Sequence, residues 1–282
     1  MALNMPTFYK RTASAVVFGA VMLSGLLLEH PWVFITLVAL INVLCLREYF
    51  GLLQKIDEGK YWPIWLQVVL QIISLFLLVL FARPMGYLSI EKPLWLTFTI
   101  LPLATPVLLL ACILPVRNAL PALIQSVSGL FYITLSMVLL GDMRNHDFML
   151  PIAIIVMIWI NDTMAYIVGS FIGKTPFSPI SPKKTWEGTA GGAVLTIIVA
   201  GIYGYWPVGG TINNSRTIDW IFIATIVAIA GTLGDLLESK LKRLANVKDS
   251  GNMMPGHGGA LDRFDSLLIA IPFVWVYYSV FM

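Results

Sequence analysis

The stretch "IDWIFIATIVAIAGTLGDLLE", residues 218–238, carries no charged residue between Trp220 and Gly234. A helix needs roughly 20 mainly apolar residues to cross a bilayer core of about 30 Å, and this stretch has that length. Asp219 precedes this uncharged part, and the other two acidic residues, Asp235 and Glu238, come at the end of the stretch. The stretch therefore predicts a membrane-spanning helix whose last turn enters a polar environment.

The composition of the whole chain agrees with that prediction. Of 282 residues, 58% are hydrophobic and 12% are charged, and the mean hydropathy is +0.84. A soluble protein carries about 25% charged residues. The two cysteines, Cys45 and Cys112, lie inside apolar runs, which argues against a disulfide scaffold or a sulfur-bound metal. A net charge of +3 does not indicate a nucleic-acid partner. We predict an integral membrane protein.

Apolar runs of similar length follow one another along the chain, and no internal repeat or soluble domain interrupts them. The predicted fold class is an all-α polytopic membrane protein, with one transmembrane domain over 1–282 and a bundle of about nine helices. We expect 1–123 to supply scaffold helices and 124–282 to carry the active site. The runs centre on residues 12–29, 32–50, 61–82, 95–115, 124–141, 150–173, 189–208, 218–238 and 264–282.

Lysine and arginine residues are unevenly distributed among the predicted loops. If the N-terminus is cytoplasmic, fourteen of the 18 lie on the cytoplasmic side, as the positive-inside rule expects. Nine crossings then put the C-terminus in the periplasm. The same orientation puts the polar stretches 174–188 and 239–263 on the cytoplasmic side, where a nucleotide would be.

The end of the eighth run, "GTLGDLLESKLKR" at 231–243, gathers polar residues on one helical face. Asp235, Glu238, Ser239 and Lys242 are spaced at i, i+3, i+4 and i+7. Acids near a helix C-terminus are disfavoured by the helix dipole and by desolvation, so something positive should offset them. For Glu238, the partner is either a bound cation or a lysine or arginine one turn along, Lys242 or Arg243. Asp235 lies deeper and is expected to hold a cation.

The start of the ninth run, "GGALDRFDSLL" at 258–268, offers two further acids. Asp262 and Asp265 lie three residues apart, with Arg263 between them. One acid at a helix N-terminus is a good cap, but two carboxylates with oxygen-only neighbours suit a hard cation such as Mg²⁺. Because the eighth and ninth runs are consecutive, we expect Asp235 and Asp262 to meet across the turn and form a metal site.

The loop between these two runs has the composition of a phosphate site. Four glycines, at 251, 256, 258 and 259, allow backbone N–H groups to approach an anion closely. Lys248 and Arg263 add positive charge. Glycine-rich backbone, basic side chains and Mg²⁺ are together typical of phosphoryl transfer, in which positioning and charge neutralisation supply most of the catalysis. His257 is either a loop hydrogen-bonder or a phosphate contact.

The third polar stretch, "NDTMAYIVGSFIGKTPFSPISPKKTWEG" at 161–188, begins inside an apolar run. Asp162 is an intramembrane acid, which is a functional candidate by default; a structural pair with a neighbouring helix is the alternative. Lys183, Lys184 and Trp186 follow at the membrane interface. They fit either positive-inside anchoring or an anionic lipid headgroup.

These motifs resemble those of one enzyme family. "SKLKRLANVKDSGNMMPGHGGALDRFD", residues 239–265, resembles the signature of the CTP:phosphatidate cytidylyltransferases, the CDP-diacylglycerol synthases of bacterial and eukaryotic membranes. It departs from that signature only at Met254 and Ala260, two apolar positions without chemical groups. "NDTMAYIVG" at 161–169 and "SPKKTWEG" at 181–188 are similar to upstream motifs of the same family.

The resemblance implies the reaction CTP + phosphatidate → CDP-diacylglycerol + pyrophosphate, at the cytoplasmic face of the bacterial inner membrane. In it the lipid phosphate attacks the α-phosphorus of CTP, and no general base is needed because that phosphate is already ionised. The resemblance also implies a Mg²⁺ requirement, with one or two cations left open, and a homodimer among membrane lipids.

The resemblance further implies roles for individual residues. Asp235 and Asp262 would hold the metal, with Asp265 nearby. The implied catalytic residues are Asp235, Lys248, Asp249, His257, Asp262 and Arg263; the implied substrate-binding residues are Asp162, Ser181, Lys183, Lys184, Ser239, Lys242, Arg243, Gly258 and Gly259.

Two other functions use the same residues. A membrane lipid or polyisoprenoid kinase shares the layout of carboxylates and glycines. An ion-coupled transporter would use Asp162 and Asp235 as midplane sites, but transporters have broken helices placed symmetrically in two halves. Here the polar clusters crowd into the C-terminal half, which favours the synthase.

Overall fold

The computed structural model describes residues 5–28, 30–56, 64–81, 128–205, 214–253 and 258–282. The chain forms two compact units. The first unit is Met1–His146 with Leu241–Phe264, and the second unit is Asp147–Lys240 with Asp265–Met282.

The described elements are almost all helical. The first unit opens with α1 (Met5–Leu27), α2 (Pro31–Ile56), α3 (Ile64–Phe81), a π-helical turn (Leu130–Leu135) and α4 (Ser136–His146). The second unit opens with α5 (Met149–Ile172), β1 (Pro176–Ser178), β2 (Ser181–Thr185) and α6 (Trp186–Tyr205). Two further helices, α7 (Asn214–Leu244) and α8 (Leu261–Phe281), contain the unit boundaries.

Five helices are long and apolar enough to cross a membrane, which supports the all-α membrane class. Shorter apolar helices occur at Val16–Leu27 and Gln67–Val79. The predicted run at 95–115 lies outside the described residues, so the count of nine and the orientation stay predictions. The five spans are Trp32–Ile56, Met149–Ile172, Trp186–Tyr205, Arg216–Leu244 and Leu261–Phe281.

In the first unit, α2 and α3 are joined by a hydrogen bond between buried polar side chains. Asn42 donates to the Ser74 hydroxyl at 2.9 Å, and Ser74 in turn donates to the Gln71 carbonyl at 2.7 Å. Polar groups in an apolar bundle must find partners inside the protein, since lipid supplies none. This short chain of bonds therefore sets the register of α2 against α3.

In the second unit, α6 packs closely on α5 through a row of small residues. A Cβ added at Gly192 would lie 2.7 Å from the Asn161 carbonyl oxygen and 2.8 Å from the Ala165 Cβ. Small residues at every fourth position let two membrane helices approach this closely. The buried row is Gly188, Gly192, Thr196, Ala200 and Gly204, of which Gly204 meets Thr217 and Trp220 of α7 and not α5. The exposed apolar residues of α6 include Val194, Leu195, Ile198, Val199 and Ile202.

A two-stranded antiparallel hairpin joins α5 to α6, and the all-helical prediction did not anticipate it. Its strands pair Pro176 with Thr185 and Ser178 with Ser181. Glu187, in the first turn of α6, accepts hydrogen bonds from the Thr175 backbone N–H at 3.1 Å and its hydroxyl at 2.8 Å. The hairpin is thereby tied to the start of α6.

Candidate functional site

The second unit brings together an acidic cluster and one lysine. The Lys184 ammonium, carried by β2, pairs with the Asp235 carboxylate of α7 at 2.5 Å. Both side chains stay partly accessible, with 27% and 30% of their surface exposed. Ser239, one turn along α7, donates to the other Asp235 oxygen at 3.2 Å. Asp162, Asp235 and Asp265 are called the acidic cluster below.

Asp265 belongs to this cluster through α8. Its carboxylate is buried, accepts the Ser266 backbone N–H at 2.6 Å, and interacts electrostatically with Asp235, Asp162 and Lys184. Glycine makes the approach of the two helices possible, because a Cβ at Gly234 of α7 would collide with the Asp265 backbone. Three carboxylates from three helices therefore share one electrostatic environment in the second unit.

The strand geometry explains why only one of the paired lysines reaches this cluster. Successive side chains of a strand point to opposite faces. Lys184 faces Asp235, whereas Lys183 is exposed. The resemblance implies that both lysines lie near a lipid phosphate. In the structure only Lys184 forms the ion pair with Asp235.

The first unit has its own carboxylate network, centred on Asp262 at the start of α8. Its Oδ2 atom accepts the Ser250 and Gly259 backbone N–H groups, each at 2.8 Å, and the Ser250 hydroxyl at 2.9 Å. Its Oδ1 atom pairs with the Lys242 ammonium at 2.6 Å, and the two side chains are only 8% and 15% exposed. Asp262 therefore organises the loop before α8, and its role as a metal ligand stays a prediction.

Glu48 of α2 is the residue that sequence reasoning missed. Its carboxylate accepts the Ala260 N–H at 2.9 Å, the Leu261 N–H at 2.8 Å and the Ser250 hydroxyl at 2.7 Å. The signal was present, because Glu48 is an acid within the apolar run 32–50, and such acids are functional candidates.

The remaining predicted residues are distributed around the loop. Gly258 has φ +87°, a left-handed conformation that favours glycine. Lys242 pairs with Asp262, although the sequence left it open as a partner of Glu238. His257 lies outside the described residues. The exposed members of the predicted set in and beside this loop are Lys248, Asp249, Arg243 and Arg263.

The acidic cluster has the chemistry of a site for a hard cation. It supplies oxygen donors only, from three carboxyl side chains that lie near a single lysine, Lys184. Mg²⁺ prefers such donors. Within the described residues, no three acidic, histidine or cysteine side chains already stand in metal-ligand geometry.

These features define a helical membrane protein with carboxylates and lysines concentrated near its helix ends. The chain belongs to the cytidylyltransferase family, whose family model matches residues 9–281. That family is one of nucleotidyltransferases. The match covers the helices of both units.

Similar proteins in several bacteria are named phosphatidate cytidylyltransferase. Those of Bacillus subtilis and Haemophilus influenzae are 45% and 38% identical over 130 and 135 residues, about half of this chain, and the matches span 46% of each relative's length. The protein of Synechocystis is 32% identical over 97% of this chain and 96% of its own length.

Proposed function

We propose that the chain catalyses the reaction of CTP with phosphatidate to give CDP-diacylglycerol and pyrophosphate. An oxygen of the lipid phosphate bonds to the α-phosphorus of CTP, and the bond from that phosphorus to the bridging oxygen of the β-phosphate breaks. The bonding electrons leave with pyrophosphate, so no proton transfer is needed. The match of residues 9–281 to the cytidylyltransferase family carries this proposal, and the names of the bacterial relatives support the choice of substrates.

The acidic cluster would hold the divalent cation that this chemistry uses. Mg²⁺, when bound, would neutralise charge on the triphosphate and make the α-phosphorus more electrophilic. Asp235 and Asp265 of the second unit would be its ligands. Asp262, which the resemblance also assigns to a metal, stays a prediction. The accessible Asp235 carboxylate supports this assignment, because it carries only one positive partner among its described contacts, Lys184, and a hydroxyl.

The hairpin would bind the lipid phosphate. Lys184 would exchange its Asp235 partner for the phosphate when the cation neutralises that carboxylate. Lys183 and Ser181 alternate with Lys184 along the same strand. The resemblance assigns them, with Asp162, to the lipid headgroup. The exposed apolar side chains of α6 beside the hairpin suit the acyl chains.

The loop that precedes α8 would position the triphosphate. Lys248 in the loop and Arg263 in the first turn of α8 are exposed and offer positive charge. Gly259 stays in the proposed set through the resemblance. The proposed nucleotide-side set also includes Ser239, Lys242, Arg243, Asp249, His257 and Gly258.

We place the reaction at the cytoplasmic face of the bacterial inner membrane, in a homodimer. The bacterial relatives and the apolar helices support the membrane. The excess of lysine and arginine in the loops that carry the site supports the cytoplasmic side.

The first test is turnover by the purified protein in phosphatidate-containing liposomes. CTP, phosphatidate and Mg²⁺ should release pyrophosphate, and chelation of the metal should stop the release without unfolding the protein. Replacing phosphatidate by diacylglycerol should also stop it. Activity with ATP and a lipid alcohol, without pyrophosphate, would identify a kinase instead.

The second test separates the acidic cluster from other acids of the same helix. Asp235→Asn should lower turnover at least 100-fold. Asp219→Asn is the matched control, because it makes the same change in the same helix far from the acidic cluster. Asp219 lies about 24 Å along α7 from Asp235, at 1.5 Å per residue. Like Asp235, it accepts a side-chain hydroxyl hydrogen bond, from Tyr277 at 2.9 Å. Equal losses in the two variants would contradict the role of Asp235.

A further inference from the structure

Glu48 holds both described sides of the loop that precedes α8. On one side it contacts the Ser250 hydroxyl, and on the other it contacts the backbone N–H groups of Ala260 and Leu261. These contacts bridge more than 200 residues of sequence. A carboxylate from the distant helix α2 therefore closes the base of this loop.

The N–H groups that Glu48 accepts lie at the N-terminus of α8, which begins at Leu261. The first N–H groups of a helix have no partner within it, and a negative charge there is stabilised by the helix dipole. Hydrogen bonds that involve an ionised carboxylate are also shorter and stronger than neutral ones. Glu48 thus supplies a cap that the local sequence "GGAL" at 258–261 does not.

Two glycines of the loop, Gly251 and Gly259, leave the space that the Glu48 carboxylate occupies. A Cβ at either Gly251 or Gly259 would collide with the Glu48 carboxylate. Ser250 links Glu48 to Asp262, because its hydroxyl lies 2.7 Å from one carboxylate and 2.9 Å from the other. A hydroxyl carries one proton and donates it to one acceptor at a time. Ser250 therefore donates to Glu48 or to Asp262, and its position depends on both carboxylates.

We infer that Glu48 is a positioning residue: it fixes Ser250 and the start of α8 so that the basic side chains of Lys248 and Arg263 meet the nucleotide triphosphate. This inference rests on the proposed function for the identity of the nucleotide. The contact between Glu48 and the loop stands on the hydrogen bonds alone. Glu48 touches no reacting atom; it acts through Ser250, Ala260 and Leu261.

The test compares Glu48→Gln with Asp142→Asn, an acid-to-amide change in α4 of the same unit. Gln keeps the size of Glu but replaces one acceptor oxygen by a donor, which opposes the N–H and O–H donors around it. Glu48→Gln should raise the apparent KM for CTP about tenfold, the equivalent of one lost hydrogen bond of about 1.4 kcal/mol. The KM for phosphatidate should change less than twofold, and Asp142→Asn should change neither.

Hydrogen–deuterium exchange gives a readout that does not depend on activity. In Glu48→Gln the amides of Ala260 and Leu261 should exchange at least tenfold faster, whereas those of α5 should not change. A protein inactive with CTP overturns the proposed function, and exchange then decides whether Glu48 holds the loop. Unchanged exchange overturns the inference. Faster exchange with an unchanged KM for CTP in an active protein also overturns it.

A second pair of variants guards against a folding failure of Glu48→Gln. Gly251→Ala should raise the KM for CTP, because its methyl group displaces the Glu48 carboxylate. Glu48→Asp shortens that side chain and makes room for the methyl group. In the double variant Glu48→Asp with Gly251→Ala, the KM for CTP should therefore rise by less than the product of the two single increases. Purely multiplicative effects would contradict the direct contact.

Discussion

Exchanging the charges of Lys184 and Asp235 tests whether their ion pair is structural or belongs to a working site. Two charges 4 Å apart interact by about 4 kcal/mol at an effective dielectric constant near 20. Exposed pairs deliver only about 0.2–1 kcal/mol, and these side chains are 27% and 30% exposed. We therefore assign about 1 kcal/mol to the pair. Each single reversal, Lys184→Asp or Asp235→Lys, should destabilise the protein by about 1–2 kcal/mol through lost attraction and new repulsion.

The double variant should restore stability but not turnover. Its pair re-forms with opposite polarity, so its unfolding temperature in detergent should return to within about 4 °C of the wild type, or roughly 1 kcal/mol. Turnover should stay at least 100-fold low, because a lysine on α7 cannot bind a cation. Lys174→Asp, which reverses an exposed lysine before β1, controls for the net-charge change of Lys184→Asp. Recovery of turnover in the double variant would show instead that the pair is purely structural.

Three further outcomes are expected. Asp262→Asn should abolish turnover. It should also cost about 3 kcal/mol of stability in thermal unfolding, because Lys242 is nearly buried and loses its counter-charge. Adding Lys242→Met should recover part of the stability, and no recovery would argue against the pair. Gly192→Ala should cost about 1–3 kcal/mol through overpacking, whereas Gly201→Ala, which meets its nearest neighbour at 3.5 Å, should cost less; equal costs would contradict the close helix contact. Lys183→Ala should raise the KM for phosphatidate more than that for CTP in steady-state assays, and the reverse would move Lys183 to the nucleotide.

The membrane helices could be predicted from the sequence because their signal is local. The run at 218–238 and the helix α7, Asn214–Leu244, agree in position, although the helix extends further at both ends. Hydropathy marks only the apolar part of a helix, and the polar continuation past Glu238 is helical without being apolar. The candidate site residues also stand out in the sequence, since charged groups are rare in such a chain. Asp162, Asp235 and Asp265 are examples, and their roles stay predictions.

The partners of these residues could not be predicted, because they depend on tertiary contacts. Spacing put Asp262 and Asp265 on one helix, but it did not reveal that Asp262 is occupied by loop N–H groups and Lys242. Nor did it reveal that a strand turns Lys184 toward Asp235. Glu48 was missed because its partners lie about 200 residues away along the chain.

The most direct test of the central claim follows the two ends of the triphosphate in one reaction. The protein would be incubated with phosphatidate, Mg²⁺ and CTP labelled with different isotopes at the α- and γ-phosphates, and the lipid would then be extracted. Our account predicts that the α-label enters the lipid phase as CDP-diacylglycerol, while the γ-label stays in water as pyrophosphate. Transfer of the γ-label to lipid, or no transfer of the α-label, would contradict it.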